Sequence, residues 1–180
     1  MDGKIFEIIG INGEGLLKGK DFVTSTSKNY STTACWRGYI MSYEIIDNHL
    51  TLVKMELDVD DDVEILGQAP KKGENLRKMY ENLEKIADFT GKILITRGDI
   101  EDQPFSPILP NQFGREKYIE FHVENGEIKS QSDITKMIET HREKLIARFK
   151  ENHETLYDEY KKLFNKELGF QLLDFYLGEN

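Results

Sequence analysis

The residues with the most chemical potential in this chain are carboxylates. Asp58, Asp60, Asp61, Asp62 and Glu64 crowd the stretch DVDDDVE, and oxygen ligands at alternating positions are what Ca²⁺ or Mg²⁺ requires. A calcium loop of the EF-hand type also needs glycine for its sharp turn, and Val63 stands at that position. A solvated loop after a strand accounts for the run without a ligand. The expectation is therefore no metal and no other cofactor, with Asp58, Asp60, Asp62 and Glu64 as the residues to which a cation would go. Histidines offer less. His153-Glu154-Thr155-Leu156-Tyr157 begins like the zinc-protease helix H-E-x-x-H but has Tyr157 where the second imidazole belongs. His141 and His153 are separated by about 120° around a helix and cannot share a metal unaided. His141 is expected at the edge of an apolar stripe with one hydrogen bond, while His49 reads as a turn residue and His122 as a strand residue.

Two arginines are the other candidates. Arg37 interrupts an apolar strand between Trp36 and Gly38, and Arg97 ends another strand. Stacked between Trp36 and Tyr39 and paired with Glu44 or Glu56 across a hairpin, Arg37 has a structural role. The rival is a small-molecule binder for an anionic ligand, or an enzyme, with a site assembled from Arg37, Glu44 and Arg97 with residues of a proline-rich loop; a third alternative is a structural module that dimerises through its C-terminal helix. No P-loop, dinucleotide fingerprint or nucleophile elbow occurs. Arg97-Gly98-Asp99 reads as a turn. Cys35 is the only cysteine, which excludes an internal disulfide and four-thiolate zinc sites; in the run Ala34-Cys35-Trp36 it reads as a small buried thiol. No catalytic residue is expected, and the chain reads as a non-enzyme.

These residues must be positioned by a sheet. Lys4 to Gly10 reads as a strand, followed by a turn at Asn12-Gly13 and a short segment at Leu16-Leu17. Thr33 to Ile46 and Leu50 to Leu57 form a hairpin around Asp47-Asn48. Glu74 to Ala87 spaces Leu76, Met79-Tyr80, Leu83 and Ile86-Ala87 three or four apart, which predicts an amphipathic helix over 74–87. Phe89 to Ile95 is a strand. The stretch 103–114 holds Pro104, Pro107 and Pro110 among apolar residues, so it is a loop packed on the body. Lys117 to Glu124 alternates, and Asn125-Gly126 turns it into Glu127-Ile128 as a second hairpin.

Ser132 is the expected cap of a helix from Asp133 to about Lys166, its stripe running Ile134, Ile138, His141, Leu145, Phe149, Asn152, Leu156, Tyr160 and Leu163. Such a helix is on the order of 50 Å long, whereas a compact chain of this size is about 40 Å across. It must break, most simply near Asn152, or project and pair with a second copy as a homodimer. The apolar tail from Phe170 to Leu177 is expected to dock on the sheet. The fold class is thus α+β: mainly an antiparallel β-sheet of hairpins, one short helix, and a long C-terminal helix packed on the sheet. A single domain spans 1–180, with a β-rich core over 1–130 and a helical segment over 132–180.

The net charge of −9 and pI near 5.0 repel phosphate backbones and anionic lipid, so neither nucleic acid nor membrane is an expected partner. No basic leader or apolar stretch near 18 residues occurs, and the expected location is the cytoplasm.

Thr33-Ala34-Cys35-Trp36-Arg37-Gly38-Tyr39-Ile40, continued by Tyr43-Glu44-Ile45 and Leu50-x-Leu52, resembles a family of uncharacterised bacterial proteins with a T-x-x-W-R-G-Y strand. Ala87-Asp88-Phe89-Thr90-Gly91-Lys92-Ile93 is similar to that family's A-D-W-F-T/S-G-x-L strand, and Tyr118 to Phe121 with Glu124-Asn125-Gly126 to its last hairpin. The resemblance covers about residues 33–128 and implies a β-rich core with no known activity; the proline-rich loop and C-terminal helix depart from it. The resulting expectation is a non-enzymatic protein of a bacterial cytoplasm. It is of the immunity or inhibitor kind, with an acidic surface that binds a basic protein partner.

Overall fold

The computed structural model describes residues 5–22, 38–60, 62–100, 114–151, 169 and 171–172. Among them the protein is mainly antiparallel β-sheet with one α-helix. The strands are β1 (Glu7–Glu14), β2 (Tyr39–Ile46), β3 (His49–Leu57), β4 (Lys71–Lys72), β5 (Lys78–Tyr80), β6 (Lys85–Ile86), β7 (Thr90–Asp99), β8 (Arg115–Glu124) and β9 (Glu127–Asp133). Helix α1 (Thr135–Glu151) and a short strand β10 (Gln171–Leu172) follow. The backbone divides into two compact units, one of residues 1–13, 91–123 and 129–180, the other of 14–90 and 124–128. No helix among the described residues is long and apolar enough to cross a membrane.

In the second unit β3 is the central strand. Its sequence changes phase partway: Leu50 and Leu52 point one way, and regular alternation would turn Met55 and Leu57 the other. A β-bulge corrects this. Ser42 pairs with Lys54 but Tyr43 with Leu52, which leaves Val53 as the extra residue and returns Met55 and Leu57 to the face of Leu52. These three then pack with Val59, Ile65, Tyr80 and Leu83, and with Tyr39, Met41 and Tyr43 from β2. Leu52, Met55 and Leu57 are fully buried, each worth about 1.5–3 kcal/mol over an exposed position. Burial pushes the Tyr43 hydroxyl well above its ordinary pKa, with Tyr39 and Asp21 adding to the shift; this hydroxyl donates to Leu17 O at 3.2 Å. The β2–β3 turn is the expected one, with Asp47 and Asn48 at φ of 47° and 66°, the geometry that suits strand twist.

The first unit orders its strands β10-β1-β7-β8-β9. Ile93, Ile95, Ile119 and Phe121 are buried on one face of the β7–β8 pair, and Leu94, Thr96 and Tyr118 on the other. The buried Thr96 hydroxyl donates to Lys117 O. Tyr118, pushed up to about 12 by burial, accepts the Arg115 N–H. Helix α1 joins here through Ile138, fully buried, and through the Ile134 N–H, which donates to Tyr118 O.

Several expectations are corrected. The segment 74–87 is not a helix but strands β5 and β6. Its stripe residues Leu76, Met79, Tyr80, Leu83 and Ala87 are indeed buried, yet Ile86 is 46 % exposed. Tertiary hydrogen bonds override the local periodicity: the Leu83 N–H donates to Val53 O and the Ala87 N–H to Leu50 O, with Asn82 at φ 56° making the turn between. Strand β1 runs past Gly10 to Glu14, because Gly10 and Ile11 pair with Leu172 and Gln171 of β10. That pairing places part of the C-terminal tail on the sheet. Strand β7 continues through Arg97-Gly98-Asp99 rather than ending there, and β9 extends to Asp133. Ser132 accordingly caps nothing; Asp133 Oδ1 accepts the Thr135 N–H. Lys117 and Thr135 together pull the Asp133 carboxyl down to about 2. His141 Nδ1 bonds to Met137 O. The continuation of the helix to Lys166, a break at Asn152, the strand start at Thr33 and the loop's three prolines lie outside the described residues.

The hairpin turn at Asn125-Gly126 fixes one further approach. A Cβ on Gly126 would stand 2.3 Å from Ala87 O, and its φ is +82°. Gly67 has a similar φ of +76° with nothing within 4 Å. Gly67→Ala should therefore cost only the left-handed backbone strain, about 1 kcal/mol, whereas Gly126→Ala should cost ~3 kcal/mol or more. Urea denaturation midpoints of the two variants measure the difference.

Candidate functional site

The acidic run follows β3 directly, and the β3–β5 register decides its fate. Leu57 pairs with Lys78, so one step further along both chains brings Asp58 beside Arg77. Asp58 is buried, and its Oδ1 lies 3.3 Å from Arg77 Nε. The same guanidinium contacts Asp60 through Nη1, and Lys78 Nζ contacts Asp62. Glu64 is exposed. A guanidinium thus occupies the space between two carboxylates where a cation would have to sit. Among the described residues no group of three or more His, Cys, Asp or Glu side chains could hold a metal ion. Asp58 Oδ2 is buried without a hydrogen-bond partner among them.

Beside this network Asp62, Pro70, Lys71, Lys72, Arg77 and Lys78 line a hollow of about 230 Å³, below the ~300 Å³ at which small-molecule pockets begin. Three of its four cations are compensated, Lys71 by Glu81 at 2.9 Å and Arg77 and Lys78 by the aspartates; Lys72 has no carboxylate partner among the described residues. Neither a cation nor an anion is strongly favoured there.

The residue that organises this corner is Glu56. Its carboxylate is buried; Oε2 accepts the backbone N–H groups of Asn75 and Leu76 at 2.8 and 3.0 Å. Oε1 accepts the Asn75 amide and pairs with Lys54 at 3.5 Å. Burial alone would raise its pKa, but these donors outweigh burial and hold it below the usual glutamate range. The sequence signal was available: a glutamate between Met55 and Leu57 in an apolar strand needs partners from somewhere.

Arg37 lies outside the described residues. Arg97, in the first unit, stands opposite Lys117 with its guanidinium 5.4 Å from the Phe6 ring centroid. Lys117 has Asp133 and Arg115 has Glu7 and Asp99; Arg97 has no carboxylate partner among the described residues. Glu44, in the second unit, is exposed opposite Thr51. At the same end of that unit's sheet Asp47, Glu84 and Asp88 are also exposed, and none of these four carboxylates has a cationic partner among the described residues.

No family model matches the chain, and no curated protein or solved structure matches it either.

Glu56→Gln keeps the shape but presents an amide N–H₂ to backbone donors, which should cost about 2–3 kcal/mol at pH 7. Because the folded-state pKa is depressed, the carboxylate's contribution is fully present above the ordinary glutamate value of about 4.3. It is lost as pH falls through the lower folded value. Urea unfolding should therefore show the gap between wild type and variant shrinking from pH 7 to about pH 3.

Proposed function

We propose that this is a non-enzymatic binding protein of the immunity or inhibitor kind, working in a bacterial cytoplasm and holding a basic protein partner against an acidic surface. The observation that carries the reading is the distribution of charge. Lys54, Lys71, Arg77, Lys78, Lys92, Arg115 and Lys117 are engaged by the chain's own carboxylates. Glu44, Asp47, Glu84 and Asp88 meet solvent instead, in a chain of net charge −9. Opposite-sign surfaces accelerate encounter and select partners more than they add raw affinity. A catalytic role would need a constellation of nucleophile, base and oxyanion donors, which no motif in this sequence supplies.

A second reading rests on Arg97. A half-buried guanidinium over an aromatic ring, beside Lys117 and without a carboxylate among the described residues, is a fitting receptor for a small anion.

Capture on the immobilised chain at about 0.05 M salt, followed by reconstitution with the purified partner, tests the first reading. The expected result is a stoichiometric complex with a protein of basic pI whose Kd weakens roughly tenfold or more by 0.5 M salt; a salt-insensitive complex, or retention of acidic proteins alone, would overturn it. For the second reading, millimolar inorganic phosphate should raise Tm by about 2–4 °C, and Arg97→Gln should abolish the rise. No shift in the wild type removes that reading.

A further inference from the structure

The exposed carboxylates at the β2–β3 turn surround two isoleucines that the core does not use. Glu44 pairs with Thr51, and Thr51 with Ile86, so the three side chains stand in one row across β2, β3 and β6 on the same face. Two residues along β2, Ile46 pairs with His49 and lies on that face too. Ile46 is 40 % exposed and Ile86 46 %. Glu84 and Asp88 flank Ile86 in sequence, and Asp47 follows Ile46; all three are exposed. Lys85, the nearest cation in sequence, pairs with Leu52 and so belongs to the other face of the sheet.

We infer that this face is a docking surface for a cationic amphipathic polypeptide segment, one that presents lysine or arginine together with one or two apolar side chains. The inference rests on the proposed binding of a basic protein and names where, and by what kind of segment, that protein is held. Charge complementarity selects the occupant. A purely apolar partner would leave Glu44, Asp47, Glu84 and Asp88 desolvated without counter-charges, an arrangement that opposes association. A purely polar cation would leave Ile46 and Ile86 in water. A segment carrying both features neutralises the rim and covers the isoleucines, and covering two partly exposed isoleucines is worth roughly tenfold in affinity.

The test uses the full chain and two synthetic probes of equal charge and about 12 residues, one of lysine and leucine, the other of lysine and serine. The lysine–leucine peptide should bind at least ~tenfold tighter than the lysine–serine peptide. Amide chemical-shift changes should be confined to residues around 44–51 and 84–88, and Ile46→Thr/Ile86→Thr should remove the preference between peptides. The variant's own amide spectrum shows whether it is folded, and Glu44→Lys, an exposed strand position, gives an independent loss of binding to both peptides. Equal affinity for the two peptides, or shift changes that map elsewhere, overturns the inference. If a basic partner is still captured with salt-dependent affinity after such a result, the proposed function stands and only its location fails. If no basic protein and neither peptide binds, both fall.

Discussion

A single buried charge governs how the second unit is built. Glu56 sits next to the end of its central strand with its carboxylate out of water, and an ionised group in that position must gather donors or carry a penalty of several kcal/mol. It takes two of them from consecutive backbone N–H groups, those of Asn75 and Leu76. That pins the chain before β5, and β5 then pairs with β3 with Tyr80 opposite Met55 and Lys78 opposite Leu57. The register in turn brings Arg77 to Asp58. One desolvated carboxylate therefore determines which cation meets the acidic run.

The consequence for electrostatics is that three aspartates of the densest acidic stretch are compensated by the chain's own cations. Asp58, Asp60 and Asp62 each face Arg77 or Lys78, and a compensated pair projects little field beyond a Debye length of about 8 Å. Carboxylates without a cationic partner among the described residues include ones scattered singly through the sequence: Glu44 near the end of a strand, Asp47 in a turn, Glu84 and Asp88 around a two-residue strand. They come together because a hairpin and its neighbour fold their ends to the same edge.

This explains which features were legible in the sequence. The two hairpin turns were, because Asp47-Asn48 and Asn125-Gly126 are residue pairs that tolerate positive φ and their neighbours alternate. The apolar stripe of 74–87 named the right buried residues, Leu76, Met79, Tyr80, Leu83 and Ala87, but assigned them the wrong period. A spacing of three and four fits a helix, and it equally fits a strand, a left-handed residue and a second strand whose N–H groups bond to β3. What separated the two was the distant Glu56 and the carbonyls of Leu50 and Val53, and no local window contains those. The acidic run looks like a solvated loop in the sequence for the same reason, since the cations that engage it arrive some 15 to 20 residues later in the chain. The boundary between β9 and α1 was misplaced by a residue or two because Ser132 and Asp133 are both good caps, and only the positions of Lys117 and Thr135 favour Asp133.

The same departures from regularity account for the exposed isoleucines. A full-length partner along that side of β3 would have continued the ladder past Ile86. Instead β6 is two residues long, and pairing is taken over by the tip of the β8–β9 hairpin, where the Leu50 N–H donates to Gly126 O and His49 pairs with Glu127. Gly126 can serve there because it lacks a side chain, its backbone lying against Ala87 O and the Ile86 side chain. With Ala87 drawn fully into the core, the alternation of an extended chain turns Ile86 outward. The exposure of Ile86 is thus set by the packing of its neighbour rather than by weak packing of its own. A substitution that buried it would have to displace Ala87 or open the Gly126 contact, so the fold keeps an apolar side chain in solvent, beside carboxylates with no cationic partner among the described residues, as a consequence of its own core.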